Sequence, residues 1–387
     1  MFLDVLGIGI IIPILPALVT EFSGGDPAVG ALYYGPIVSI FALMQFIFSP
    51  ILGGLSDQYG RRPVLLIALF GYGINYIILG LAPTLMWLIV GRMFAGITGA
   101  SITTANAYLA DLSTPETRAK NFGLVGAAFG LGFIFGPALG GILGEINPRM
   151  PFFASAILAF LNFTYGAFVL PESLPLSSRR PFSWRDANPF HSLSRLRRYP
   201  MVSGLAIAFV FMGMARRGME SVWVLYTELR FGWQELENGL SLALIGLLAA
   251  LVQGVLIRWI VPKLGEHRAI FIGLTLSGVG YVLFGLAPNG WMALLIFPIT
   301  SLGAIAGPTI QGLLTAAVPP DEQGAIQGSL TSLLSLVAIF APLISTQLLS
   351  HFSSDSAPIY LPGMPFFLGS VLFFCALGIV MRVLSRN

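Results

Sequence analysis

Three charged side chains break an otherwise apolar run at "FMGMARRGMESVW", residues 211–223: Arg216, Arg217 and Glu220. Two more ionisable residues lie in similar surroundings, Asp4 in "MFLDVLGIGIIIPILP" and Arg92 in "LIVGRMFAGITGA". Burying one arginine at the centre of a bilayer costs at least about 2.5–3.5 kcal/mol, so each needs a partner, contact with water or a task. Arg216 and Glu220 stand at i and i+4, share a helix face and can pair. Arg217 points about 100° away from Arg216 and calls for another partner. Asp4 is available to Arg92. Three readings of the 216–220 cluster stay open. The helix could end near Ala215 and let the charges reach the surface; the charges could join a structural network with Asp4 or Arg92; or they could line a central cavity, with arginine binding an anionic or zwitterionic group and Glu220 carrying a proton.

The elements that must position these residues are membrane helices. Of 387 residues, 56% are hydrophobic and only 10% charged, with a mean hydropathy of +0.85, whereas soluble chains carry about 25% charged residues. At roughly 20 apolar residues per crossing, twelve spans are expected near 2–20, 29–52, 63–82, 84–108, 121–143, 150–170, 201–226, 239–260, 269–287, 291–316, 325–349 and 360–382. The 45 glycines and 26 prolines suit membrane helices, where small residues allow close approach and neighbours tolerate kinks. The first span lacks a basic flank and a small-residue cleavage site and carries Asp4, so it reads as helix 1 and not as a signal peptide.

Charge placement gives an orientation. With both termini cytoplasmic, Arg149 and Arg230 fall outside, Arg92, Arg216 and Arg217 fall within spans, and the other fifteen of the 20 Lys and Arg lie in inside loops and tails. That asymmetry makes the net charge of +3 a membrane signature and argues against a nucleic-acid partner. The polar stretch 171–199, with Arg195, Arg197 and Arg198 near anionic head groups, divides a six-span half (1–170) from a second (200–387). The halves echo each other: "GGLSDQYGRRPVL" follows span 2 and "WIVPKLGEHRAIF" follows span 8, each with a glycine shortly before an arginine. Gly123 and Pro137 match Gly328 and Pro342 at one offset of 205. Two parallel six-helix repeats are a transporter architecture with the substrate site between them. The lone Cys375 excludes a disulfide framework. No nucleotide-binding glycine loop, HExxH or nucleophile elbow is present, and neither an enzyme nor a metal site is expected.

"GLSDQYGRRP" (54–63) resembles the motif between helices 2 and 3 of the major facilitator superfamily. Gly54 permits close approach, Gly60 a tight turn, and Asp57 can cap a helix or pair with Arg61. "GLVGAAFGLGFIFGPALGG" (123–141) is similar to the drug/proton antiporter motif, with Gly132, Gly136, Pro137, Gly140 and Gly141 giving a smooth, bent packing face. Arg92, Asp111 and "TPETRAK" resemble the fourth-helix motif linked to proton transfer. Together with "DVLGIGIIIPILP", "GRMFAGITGAS" and "VWVLYTELRFGW", these segments are similar to the tetracycline-efflux branch over nearly the whole chain.

The resemblance implies an all-α membrane protein of the major facilitator fold, with twelve transmembrane helices in two pseudo-symmetric six-helix bundles. It implies a monomeric inner (plasma) membrane exporter of amphipathic small molecules, driven by protons with no other cofactor. By position, Asp4 would be the first-helix proton and substrate carboxylate; Glu220, which the family pattern lacks, is the second proton candidate from the reading of the residues. Arg92, Asp111, Asp57, Arg61 and Arg62 would be coupling and gating charges, and Gln45, Asn106, Gln253 and Gln311 cavity groups. The tetracycline pumps also place carboxylates in helices 3 and 9 and some a histidine in helix 8, where this chain has Asn75, Ser277 and Ala249. A carboxylate site for a metal–tetracycline complex cannot be assembled in the same way. The charges at 216–220, absent from that pattern, point to a distinct substrate range; a carrier selecting an organic anion or a lipid-like or siderophore-like metabolite through the arginines is the alternative.

Overall fold

The computed structural model describes residues 1–99, 101–183, 200–354 and 356–385. The expected contacts of Arg195, Arg197 and Arg198 with head groups lie outside the described residues, as do Arg185 and Arg386. Among the described residues the regular structure is helical, and twelve helices are long and apolar enough to cross a membrane. They are α1 (Phe2–Phe22), α2 (Pro27–Tyr59), α3 (Arg61–Gly80), α4 (Leu85–Asp111), α5 (Lys120–Ile146), α6 (Met150–Val169), α7 (Met201–Phe231), α8 (Glu235–Leu264), α9 (Glu266–Leu286), α10 (Gly290–Ala316), α11 (Ile326–Ser353) and α12 (Met364–Leu384). Each expected span has its helix. Several overrun the apolar stretch: α2 continues past residue 52 through "LSDQY", because hydropathy marks the length in lipid while the backbone ladder needs only unbroken i→i−4 bonds.

Proline sets the interruptions. In α1 the regular helix stops at Ile11 and resumes at Ile14, since Pro13 lacks an N–H and its ring crowds the carbonyl of Gly9, which instead accepts from Ile12 at 3.3 Å. In α10 the break at Ala304–Ile305 falls four residues before Pro308. A π-helical turn, Val252–Leu256, carries Gln253 in α8.

The internal repeat is visible in the backbone. Gly60 alone joins α2 to α3 and Gly265 alone joins α8 to α9, at φ 104°, ψ 157° and φ 78°, ψ 156°. Only glycine enters that region without steric cost, so a one-residue connector demands it in both halves.

The chain forms two compact units. The first holds Met1–Ser23, Ile40–Pro189 and Gln234–Ala243; the second holds Gly24–Ser39, Phe190–Trp233 and Leu244–Asn387. In the first unit α1 packs on α5 and α6, and α3 on α4 and α6. In the second the same partners recur six helices later: α7 on α11 and α12, and α9 on α10 and α12. The first unit is closed by the antiporter-motif glycines. A Cβ on Gly136 would lie 2.6 Å from Gly9 Cα, one on Gly132 2.7 Å from Val5, and one on Gly140 against the Ile10 carbonyl, so α1 and α5 meet backbone to backbone. Gly141 does the same with Glu235 and Leu236 at the start of α8. The second unit is closed by aromatic rings instead: Trp223 packs on Phe284, Phe297 and Phe366 with centroids 5.3, 4.9 and 6.3 Å away, and Tyr226 donates to the Phe284 carbonyl at 2.8 Å. Outward faces carry large apolar side chains such as Ile67 (72% exposed), Trp291 (79%) and Leu295 (74%), a surface that only lipid covers favourably.

Candidate functional site

Asp4 stands in the first turns of α1, and its Oδ1 accepts from Asn162 Nδ2 of α6 at 2.7 Å; its Oδ2 lies 3.1 Å from the Met1 amino group. Tyr72 and Tyr76 of α3, stacked with centroids 6.1 Å apart, are buried within electrostatic range of both Asp4 and Arg92. The Arg92 guanidinium lies over the Phe41 ring, 4.2 Å from its centroid, a desolvated cation–π contact. Gln45 Nε2 donates to the Gly99 carbonyl at 3.3 Å. Asp4 and Arg92 thus both lie within electrostatic range of Tyr72 and Tyr76, and these tyrosines and Asn162 were not singled out by the sequence reading. Asn75 is turned into packing at 1% exposure, with its Oδ1 beside Gly91, while Asn106 is half-buried and Gln253 and Gln311 are exposed. Gln311 donates to Gln327 Oε1 at 3.1 Å.

A second cluster gathers on the α2–α3 turn. Arg61 binds Asp57, one turn before it, Ser56 Oγ at 2.7 Å and Asp111 Oδ2 of α4 at 3.2 Å. Ser173 Oγ also donates to Asp111 Oδ2, at 3.1 Å. Arg62 turns to the Ala167 carbonyl at 2.6 Å. Arg92 takes no part, being nearly 20 residues or about 28 Å along α4 from Asp111 at 1.5 Å per residue. Glu172, just beyond α6, is the residue the sequence reading passed over. Its Oε1 accepts from the Arg61 amide at 2.8 Å and its Oε2 from the Arg62 amide at 3.2 Å, so it caps α3 from the far end of the half. "PES" after a helix end was the available signal. Linker residues continue the docking: Arg180 N donates to the Asp57 carbonyl at 3.1 Å, and the Phe182 ring covers Gly54.

Partial burial pushes the Glu172 carboxyl up, but the amides of Leu174, Arg61 and Arg62 and the Arg179 guanidinium together outweigh it and hold it below the usual range. A depressed folded value means that this contribution is complete at neutral pH and is lost as pH falls below about 4.3 and through the folded value. Glu172→Gln is expected to cost about 1 kcal/mol of local stability. Hydrogen exchange at the Arg61 and Arg62 amides should then be several-fold faster, and unchanged exchange would refute the cap.

The third cluster sits halfway along α7, which runs unbroken to Phe231. The helix does not end near Ala215, so no helix end releases Arg216, Arg217 and Glu220; the α-ladder has no proline to stop it. Arg216 Nε lies 3.0 Å from Glu220 Oε1, and Arg217 Nη1 3.0 Å from Glu220 Oε2. Arg217 needed no separate partner, because i and i+3 are also neighbours on a helix and a long side chain closes the remaining angle. The three side chains are 68%, 52% and 45% exposed. One turn on, Trp223 and its ring cluster are fully buried. The charges thus stand open on the edge of a dry aromatic layer.

The profile of the Major Facilitator Superfamily matches residues 1–342. The chain is 40% identical to the tetracycline resistance protein of class C from Escherichia coli, over 98% of this chain and 94% of that protein. It is 29% identical to multidrug resistance protein 2 of Bacillus subtilis (strain 168), over 89% and 85% of the two lengths. The crystal structure of the human organic anion transporter MFSD10 (TETRAN) superposes with a TM-score of 0.71 at 25% identity, covering 98% of this chain and 96% of that one. The paired six-helix topology, the Asp57–Arg61–Asp111 cluster and the glycine contact of α5 with α1 agree with these matches: the chain is a multi-pass membrane transporter that belongs to the Major Facilitator Superfamily, in the branch of the tetracycline resistance proteins.

Proposed function

We propose that the protein is a proton-coupled exporter of amphipathic small molecules, working as a monomer in the inner (plasma) membrane with both termini cytoplasmic. Two repeats, 1–170 and 200–387, joined by 171–199, alternate access to the substrate, and the proton gradient replaces any cofactor. Asp4 carries this reading: a titratable carboxylate in an apolar helix, held by Asn162 and within electrostatic range of Tyr72 and Tyr76. Protonation removes its charge and so changes both its hold on a cationic group and its cost of burial. The names of the tetracycline and multidrug resistance relatives support export of drugs. In liposomes loaded with a pH dye, adding substrate should start proton movement; an absence of substrate-dependent flux across tetracyclines and cationic dyes would refute it.

A second reading has an observation of its own. Two arginines in mid-span favour an anionic or zwitterionic group, and the organic anion transporter among the similar structures supports that class. A thermal-shift screen of tetracyclines, cationic dyes and organic anions separates the two.

A further inference from the structure

The α7 cluster has a defined charge count. Two guanidiniums and one carboxylate leave a net charge of +1, and Glu220 spends one oxygen on each arginine. Each arginine in turn spends one nitrogen on Glu220: Nε of Arg216, Nη1 of Arg217. A guanidinium has five N–H donors in a planar fork, so most donors of both remain on side chains that are 68% and 52% exposed. Among the described residues of the second unit, the other charges of α7, Glu228 and Arg230, lie about two turns or more beyond Glu220. Among the described residues α10 has none, those of α9, α11 and α12 lie at helix ends, and in α8 they lie in the first turn or the last two. The groups facing the cluster from packed helices are uncharged: Tyr281 of α9, whose hydroxyl donates to the Ala215 carbonyl at 3.4 Å, and Ser345 of α11 beside Gly218.

We infer that Arg216, Arg217 and Glu220 form a receptor for a single negative charge, the carboxylate or sulfonate head of an amphipathic monoanion, and that Glu220 sets the valence it accepts. This rests on the anion reading of the site. One monoanion brings the cluster to zero, the state that costs least in a medium of low dielectric. A dianion leaves an excess negative charge and a cation an excess positive one. Without Glu220 the count is +2, and the same argument selects a dianion. Glu220 is thus a specificity residue that acts through charge balance, and it need not touch the ligand.

The test uses the full-length protein in nanodiscs with three probes of one aromatic scaffold: 2-naphthoate, naphthalene-2,3-dicarboxylate and 2-naphthamide, at pH 7.5, where both acids are ionised. Wild type should bind naphthoate about tenfold more tightly than either the dicarboxylate or the amide. Glu220→Gln should reverse the order of naphthoate and dicarboxylate. Arg217→Gln, with a count of zero, should no longer separate naphthoate from the amide. The double variant Arg217→Gln/Glu220→Gln returns to +1 and should regain the naphthoate preference, which a merely structural role of either residue would not produce. If naphthoate is preferred to the amide in wild type but the ratio of naphthoate to dicarboxylate is the same in Glu220→Gln, valence setting is overturned while the anion reading stands. If wild type does not separate naphthoate from the amide, both fall.

Discussion

Asp4→Asn is expected to abolish substrate-dependent proton flux, by about a hundredfold or more, the scale on which a lost positioned proton carrier is felt. Asparagine keeps the size of the side chain and an oxygen able to accept from Asn162 Nδ2, now 2.7 Å from the carboxylate. The α1–α6 contact and the adjoining Gly7 to Ser155 bond, 3.0 Å long, stay in place. What disappears is the charge and the proton it can bind. Folding and thermal stability should therefore change little, and a collapse of stability would point to a structural role. Flux measured in liposomes with a fixed pH gradient decides the point: wild-type flux in Asp4→Asn removes this carboxylate from the mechanism. Asn162→Leu is the companion. It leaves the carboxyl but takes away its donor, so flux should persist at a reduced rate.

Gly136→Val should prevent accumulation of folded protein. A Cβ at 136 would meet Gly9 Cα at 2.6 Å, Gly9 C at 2.9 Å and Leu6 O at 3.0 Å. All three are backbone atoms, and the partner residue is already glycine, so no side chain can swing aside. Relief requires moving α1 off α5, at the upper end of or beyond the roughly 1–3 kcal/mol typical of overpacking. Gly123 belongs to the same sequence motif, yet nothing lies within 4 Å of its would-be Cβ. Gly123→Val should stay within about 0.5 kcal/mol of wild type, as open surface substitutions do. Size-exclusion recovery and melting temperature of the two variants side by side provide the measurement, and equal damage from both would show that motif membership, not backbone contact, governs their effect.

That pair shows where sequence stops. Spacing alone gave Gly123, Gly132, Gly136, Pro137, Gly140 and Gly141 one role, whereas the fold turns Gly132, Gly136 and Gly140 onto α1 and Gly141 onto α8 and leaves Gly123 uncovered. The Arg61–Asp57 pair was legible because the two residues flank a tight turn at Gly60 and stand only four positions apart. Its extension to Asp111, 50 residues away, was not read from the sequence, because no local rule reaches that far.

By itself the sequence determined the twelve helices and the glycine connectors at 60 and 265. Hydropathy, helical period and the φ a one-residue turn needs are properties of short stretches of chain. Tertiary structure alone decided that Asn162 holds Asp4, that Glu172 caps α3, and that Arg217 turns to Glu220 and not to a distant partner. The first two bonds join residues 158 and 111 positions apart, and no periodicity reaches so far. The third is local, yet i+3 and a remote carboxylate satisfy one guanidinium equally well until packing fixes which is within 3.0 Å.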